Sequence, residues 1–247
     1  MLFRSCGLCS RRGAEEAILA GKVRVDGKVV TELATQVDPG RSLVEVAGVP
    51  AAPARAVTFL FNKPKGVLCT NARDEKRPRV IDYFPAREGQ RLFCVGRLDE
   101  ESEGLILVTN DGELSQLIAH PRSRVPRTYS VAVRGEVSGE ALEKAKGGIW
   151  LAEGRTGRIK ILVRRRTRSE TSMLVTIAEG RNREVRRIFA RVGFPVLRLK
   201  RVRIGPLTIH KLKPGAWRPL TPAEVASLRE AARSPAPDRK GPWRNRS

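Results

Sequence analysis

A chain of 247 residues holds 48 Lys and Arg against 26 Asp and Glu, for a formal charge of +22, and 40% of it is apolar. The apolar share allows a real core, which excludes wholesale disorder, and the length fits one large domain or a medium one with a small companion. Charge this far from neutral makes nucleic acid the default partner; no apolar run approaches the roughly 18 residues of a membrane span, and the amino terminus is too short and polar for a signal peptide.

A cytoplasmic protein with no membrane partner is therefore expected. Cys6 and Cys9 make one C-x-x-C, with no second pair and no nearby His. That is poor evidence for zinc, and no metal site is expected from it. Ser10 is placed to cap a helix over Arg11 to Ala20, with Ala14, Ala17 and Ile18 inward and Gly21 ending it. Lys22 to Val25 and Lys28 to Thr31 read as strands joined by an Asp26-Gly27 hairpin turn. Arg11, Arg12, Lys22, Arg24 and Lys28 crowd this module, residues 1–47, either as a phosphate-facing surface or as a solvated face. Residues 48–56 have the Pro and Ala content of a semi-stiff linker.

A larger domain, residues 57–220, follows. Val57 to Phe61 reads as a strand and Asn62-Lys63-Pro64-Lys65-Gly66 as a rigid turn, with Lys63 and Lys65 expected on phosphates. Leu92 to Val95 and Leu105 to Thr109 are strands, and Glu113 to Ala119 is a helix closed by His120-Pro121. Tyr129 to Val133 alternates as a strand, Gly139 to Lys146 is a helix by pattern, and Arg158 to Val163 and Met173 to Ile177 are further strands. Asn182 is expected to cap a helix over Arg183 to Val192. Short strands follow around Gly205-Pro206. Thr221-Pro222-Ala223-Glu224 is a capping box opening a helix over 221–232, and residues 233–247 form a basic tail of disordered composition. Many short strands with few helices predict an α+β fold: a mixed, largely antiparallel sheet with flanking helices. His120 and His210 have no neighbour suggesting a metal or a relay and are read as structural.

Gly96-Arg97-Leu98-Asp99 runs into Glu100-Glu101-Ser102-Glu103, four carboxylates within five residues of a basic chain. A nucleic-acid face avoids such a cluster, because carboxylate repels phosphate. A polar turn between strands is the bland explanation; chemistry by one Asp at a strand-to-loop junction is the other. A reacting carboxylate must stay ionised among like charges, which demands an arginine nearby. Arg97 and Arg186 both qualify. Tyr129, one of two tyrosines, reads either as a half-buried core residue or as a ring on which a flipped base stacks.

In ordered succession these segments resemble the bacterial ribosomal-RNA pseudouridine synthases of the small-subunit/large-subunit type. Ser10-Arg11-Arg12 through Asp26-Gly27 resembles the signature of their S4 RNA-binding domain. Asn62 to Val67, Gly96 to Asp99 with Gly104 to Gly112, Glu179 to Arg187, and Arg203 to Leu207 resemble the successive catalytic-domain motifs. The resemblance implies Asp99 as the essential aspartate, Tyr129 as the stacking aromatic, Arg186 as the partner of the aspartate, and Arg97 as a residue holding the displaced nucleotide. It places Arg181 and Arg183 on RNA and requires no cofactor. The implied reaction converts a uridine of ribosomal RNA, of the large subunit (23S) by the look of residues 70–80, to pseudouridine. Ribosomal RNA, free or in assembling particles, is then the partner, DNA is not, and a monomer is expected. A non-catalytic rRNA-binding or ribosome-assembly protein is the rival reading. The chain departs from the family pattern in its late start before the S4 motif, in Ser102 where threonine is usual, and in Glu184 where glutamine is common.

Overall fold

The computed structural model describes residues 9–38, 40–51, 54–72, 74–85 and 91–234. Cys6, the first residues before the S4-like motif, and the tail from residue 235 lie outside the described residues, as does the side chain of Arg11.

Helix α1 (Arg11–Leu19) starts where the Ser10 hydroxyl accepts the Gly13 N–H at 2.9 Å. Strands β1 (Val23–Val25) and β2 (Lys28–Val30) form the expected hairpin. Asp26 and Gly27 both hold positive φ, 50° and 79°, the backbone a tight two-residue turn requires. Strands β3 (Val44–Val46) and β4 (Val49–Pro50) complete a sheet in the order β2-β1-β3-β4. The linker expected from residue 48 therefore begins later: Val49 and Pro50 pair with β3 and Ala51 is buried beside Val23 and Val44. The turn that joins β3 to β4, Ala47-Gly48, also has positive φ at both residues, but Ala does not announce it.

The remaining strands are β5 (Thr58–Lys63), β6 (Phe93–Cys94), β7 (Glu103–Thr109), β8 (Arg127–Arg134), β9 (Trp150–Leu151), β10 (Gly154–Arg155), β11 (Lys160–Arg166), β12 (Glu170–Ile177), β13 (Val196–Ile204), β14 (Leu207–Thr208) and β15 (Trp217–Pro219). The helices are α2 (Gly112–Ala119), α3 (Gly139–Gly147), α4 (Glu184–Arg191) and α5 (Pro222–Arg233). The described residues fall into two compact units. The first holds the chain up to Glu100 with Ile106–Ser115 and Leu212–Leu220; the second holds Glu101–Leu105, Gln116–Lys211 and the chain from Thr221. Strand β7 begins in the second and ends in the first.

In the first unit β5 is buried along its whole length and pairs antiparallel with β15. Phe59, Phe61, Phe84 and Trp217 pack with ring centroids 5.1–5.7 Å apart. In the second unit β11, β12, β8 and β13 form an antiparallel sheet, and β12 alternates buried Thr171, Met173, Val175 and Ile177 with half-buried residues. The start of β7 runs parallel to β13, Gly104 opposite Arg201, which makes the sheet mixed. Only glycine fits there: φ is 108°, and a Cβ would collide with the Arg201 carbonyl and lie 2.7 Å from its N.

Helix α4 departs from expectation at its start. Asn182 does not cap it; the N-cap is Arg183, at φ 48°, and its side chain makes no capping bond. The loop just ahead of the helix is tied to it by Glu184, which accepts the N–H groups of Gly180 and Arg181 at 2.8 and 2.9 Å. The capping box at Thr221–Glu224 forms as read.

Candidate active site

In the first unit the acidic loop leaves the core at a glycine. Val95 is buried and its N–H donates to Leu107 at 2.8 Å, Gly96 takes φ 71°, and Arg97 is exposed. Leu98 is buried, its N–H directed to Cys69 Sγ at 3.4 Å, which leaves Asp99 half-buried at the mouth of the strand. Anchored neighbours on the N-terminal side limit where the carboxylate can move. The loop is also held from below. The Glu100 carbonyl accepts the Gly66 N–H at 2.8 Å and the Lys63 ammonium at 3.4 Å.

Lys63, expected on a phosphate, is instead fully buried, and its ammonium also donates to Pro64 O at 2.8 Å. Burial pushes that ammonium below its ordinary pKa, while Cys69, Glu100, Asp99 and Cys94 favour its charge. The KPKG-type turn thus divides its two lysines: Lys63 braces the acidic loop and only Lys65 faces solvent.

In the second unit Glu101 and Ser102, the next residues of the same loop, meet helix α4. Arg186 is 13% exposed. Its guanidinium donates to Glu101 O at 3.5 Å, Ser102 Oγ at 3.4 Å and Val196 O at 3.3 Å. The Glu101 carboxylate is 4.0 Å away, and Arg186 Nε is buried with no hydrogen-bond partner among the described residues. Ser102, the departure from threonine, is 1% exposed and keeps the hydroxyl that this contact uses. Arg183 lies 3.6 Å from Glu101 on a half-exposed side chain.

Tyr129 sits on β8, 6% exposed, in register with Val175 on β12 and Arg201 on β13. Directly paired residues share a sheet face, so Arg201 lies beside the tyrosine. Arg201 escaped notice in the sequence because it stands in a run of basic residues, yet it is 3% exposed. Its Nε donates to Leu105 O at 2.6 Å, and one terminal nitrogen is buried without a partner among the described residues. Arg127 is likewise internal, donating to Val125, Glu179 and Ile118 carbonyls. Burial, then the charge of Arg201, lowers its pKa. The alternation of β8 and β13 was the available signal, since both arginines stand in strands whose neighbours are core residues.

Of the cations expected on RNA, Arg12, Lys22, Arg24, Lys28 and Lys65 are exposed. Arg181 is committed to the protein: it donates to Gly154 O at 2.7 Å and Arg155 O at 2.6 Å, and pairs with Glu179 at 2.8 Å. His120 accepts the Arg122 N–H at 3.1 Å, a structural role. Among the described residues no cluster of His, Cys, Asp and Glu is arranged to hold a metal ion, and no helix is long and apolar enough to cross a membrane.

The chain matches the family model for RNA pseudouridylate synthase over residues 57–191 and that for the S4 domain over residues 2–43. It is 42% identical to the ribosomal large subunit pseudouridine synthase B of Bacillus subtilis, covering 92% of this chain and 93% of that protein. An RNA pseudouridine synthase of Aquifex aeolicus is 40% identical over 91% of this chain and 90% of its own. A crystal structure of a pseudouridylate synthase superposes with a TM-score of 0.67 at 28% identity, covering 92% of this chain and 96% of that one. A catalytic-domain match over more than half its length, preceded by an S4 match and joined by relatives of equal span, makes this chain a member of the RNA pseudouridine synthase family with an amino-terminal S4 domain.

Proposed function

We propose that the protein isomerises one uridine of large-subunit ribosomal RNA to pseudouridine, with Asp99 as the reacting carboxylate. Asp99 engages the sugar, as nucleophile at C1′ or as base toward a sugar proton. The N1–C1′ bond breaks, the uracil turns, and C5 bonds to C1′, displacing Asp99 if it attacked C1′ or with return of the sugar proton if it acted as base; the C5 proton leaves while N1 gains one. Atoms balance within the nucleotide, so the step requires no cofactor. Tyr129 supplies the ring that receives the base, Arg186 the guanidinium that partners the aspartate, and Arg97, exposed on the same loop, a contact to the displaced nucleotide.

The observation that carries this reading is the state of Arg186. A nearly buried guanidinium costs free energy unless an anion offsets it. This one has a carboxylate, that of Glu101, only at 4.0 Å, and is held by the Glu101 carbonyl and the Ser102 hydroxyl, two and three residues after Asp99, with Nε unsatisfied among the described residues. A polar turn without chemistry has no need of it. The large-subunit assignment is supported by the name and matching span of the Bacillus subtilis relative. Residues 1–47 would bind the RNA in the cytoplasm, free or in an assembling particle. Mapping pseudouridine in both ribosomal RNAs from cells with and without the gene tests the proposal. One site lost from the large-subunit RNA is expected; unchanged maps of both RNAs would overturn it.

A further inference from the structure

Trp150 is the most exposed large apolar side chain among the described residues, at 71%. It stands on the β9–β10 hairpin, directly across from Arg155, so indole and guanidinium lie side by side on one face. A shallow hollow of about 560 Å³ opens beside it, lined also by Lys144, Gly147, Arg191 and Val192. Glu143, which also lines it, pairs with Lys146 at 2.7 Å, and Lys144 pairs with Glu140 at 2.8 Å, so Arg155 and Arg191 are the guanidinium groups at its edge. The hollow is therefore an aromatic surface bordered by cations.

The hairpin is built to hold that surface still. Gly148 takes φ 93°, and a Cβ there would strike the Thr156 carbonyl. Ile149 and Thr156 exchange backbone and side-chain hydrogen bonds at 2.9 Å. From outside, Arg181 donates to Gly154 and Arg155 carbonyls, and Arg187 grips Glu153 through both terminal nitrogens at 2.8 and 2.6 Å. Arg181 and Arg187 flank Arg186 in sequence. The segment that carries the proposed active-site arginine thus also fixes the position of Trp150.

We propose that Trp150 is a stacking platform for an unpaired nucleobase of the RNA substrate, with Arg155 and Arg191 on the adjoining phosphates. The inference rests on the proposed function for the identity of the RNA, but not for the contact itself. Any base has a π-face, so the site takes single-stranded nucleotides with little sequence preference. A solvated tryptophan between guanidinium groups suits an anionic aromatic polymer, whereas a protein partner would leave those cations unmatched.

The test is fluorescence anisotropy of a fluorescein-labelled single-stranded 12-nucleotide RNA of mixed sequence with the full-length protein. Trp150→Ala should weaken binding about tenfold, and Trp150→Phe should stay within about twofold of the parent, because one stacked base contributes on that scale. RNA should quench the indole emission of the parent protein, and that quenching should fall in the Trp150→Phe variant. Unchanged affinity of Trp150→Ala would overturn the proposal and point to a protein contact instead. Binding is read without turnover, so loss of the isomerase reading would appear separately, as absence of tritium release by the parent protein.

Discussion

Glu184 is a carboxyl 3% exposed at the start of α4, and burial raises its pKa above the ordinary carboxylate range, against two backbone N–H donors and Arg181. A raised acid binds protons more tightly folded than unfolded, so its contribution to stability falls as pH rises from about 4.5 through the folded value. Glutamine at this position keeps an oxygen for Gly180 and Arg181 and carries no charge to bury. Glu184→Gln should therefore raise the melting temperature at pH 7–8 by about 2 °C, the effect of roughly 1 kcal/mol in a chain of this length. The gain should vanish below about pH 4.5, and thermal melts across that range check it. At Gly104 the sign is opposite. Gly104→Ala places a methyl against the Arg201 backbone at a φ of 108°, so it should cost at least about 3 kcal/mol or prevent folding altogether, as urea titration would show.

At the scale of elements, arginine is the residue whose role the pattern leaves open. Arg181 belongs to a motif rich in cations and reads as an RNA contact, yet its three bonds go to the β9–β10 hairpin and Glu179. Arg181→Ala should lower stability by about 1–3 kcal/mol, the scale of lost charge-assisted hydrogen bonds, and leave the salt slope of RNA binding unchanged. Arg24→Ala, on the exposed face of β1, should do the reverse: stability within about 0.5 kcal/mol and a slope reduced by about 1. Elements with strong local signals were legible. Ser10 and Asp26-Gly27 announced α1 and the first hairpin, and the run Leu105 to Val108 announced β7. What escaped was set by tertiary context. Ala47-Gly48 turns like an Asn-Gly pair without its chemistry, Arg183 takes a left-handed cap that Asn182 was better suited to supply, and Lys63 is buried under a loop far along the chain. Of the candidate site, Asp99 and Arg186 were named through motif order, whereas Arg201 lies outside those motifs and was missed among the many exposed arginines around it.

For the whole molecule, a charge of +22 with four exposed S4 cations at Arg12, Lys22, Arg24 and Lys28 sets the terms of binding. Each phosphate neutralised releases counterions, so affinity for RNA should fall roughly a thousandfold or more between about 50 and about 200 mM salt if about six phosphates are contacted. That term holds the RNA but does no chemistry. The acidic loop opposes it, and under the proposed function a reacting carboxylate accounts for its presence in so basic a chain. The most direct test is tritium release from unmodified large-subunit ribosomal RNA labelled at uracil C5, measured alongside RNA affinity for the parent protein and for Asp99→Asn. The parent protein should release tritium, and the variant should release none while binding RNA within about twofold of the parent, since Asp99→Asn keeps the side chain's size and removes no cation that pairs with phosphate. Release by Asp99→Asn at the parental rate would contradict the assignment of the reaction to this residue.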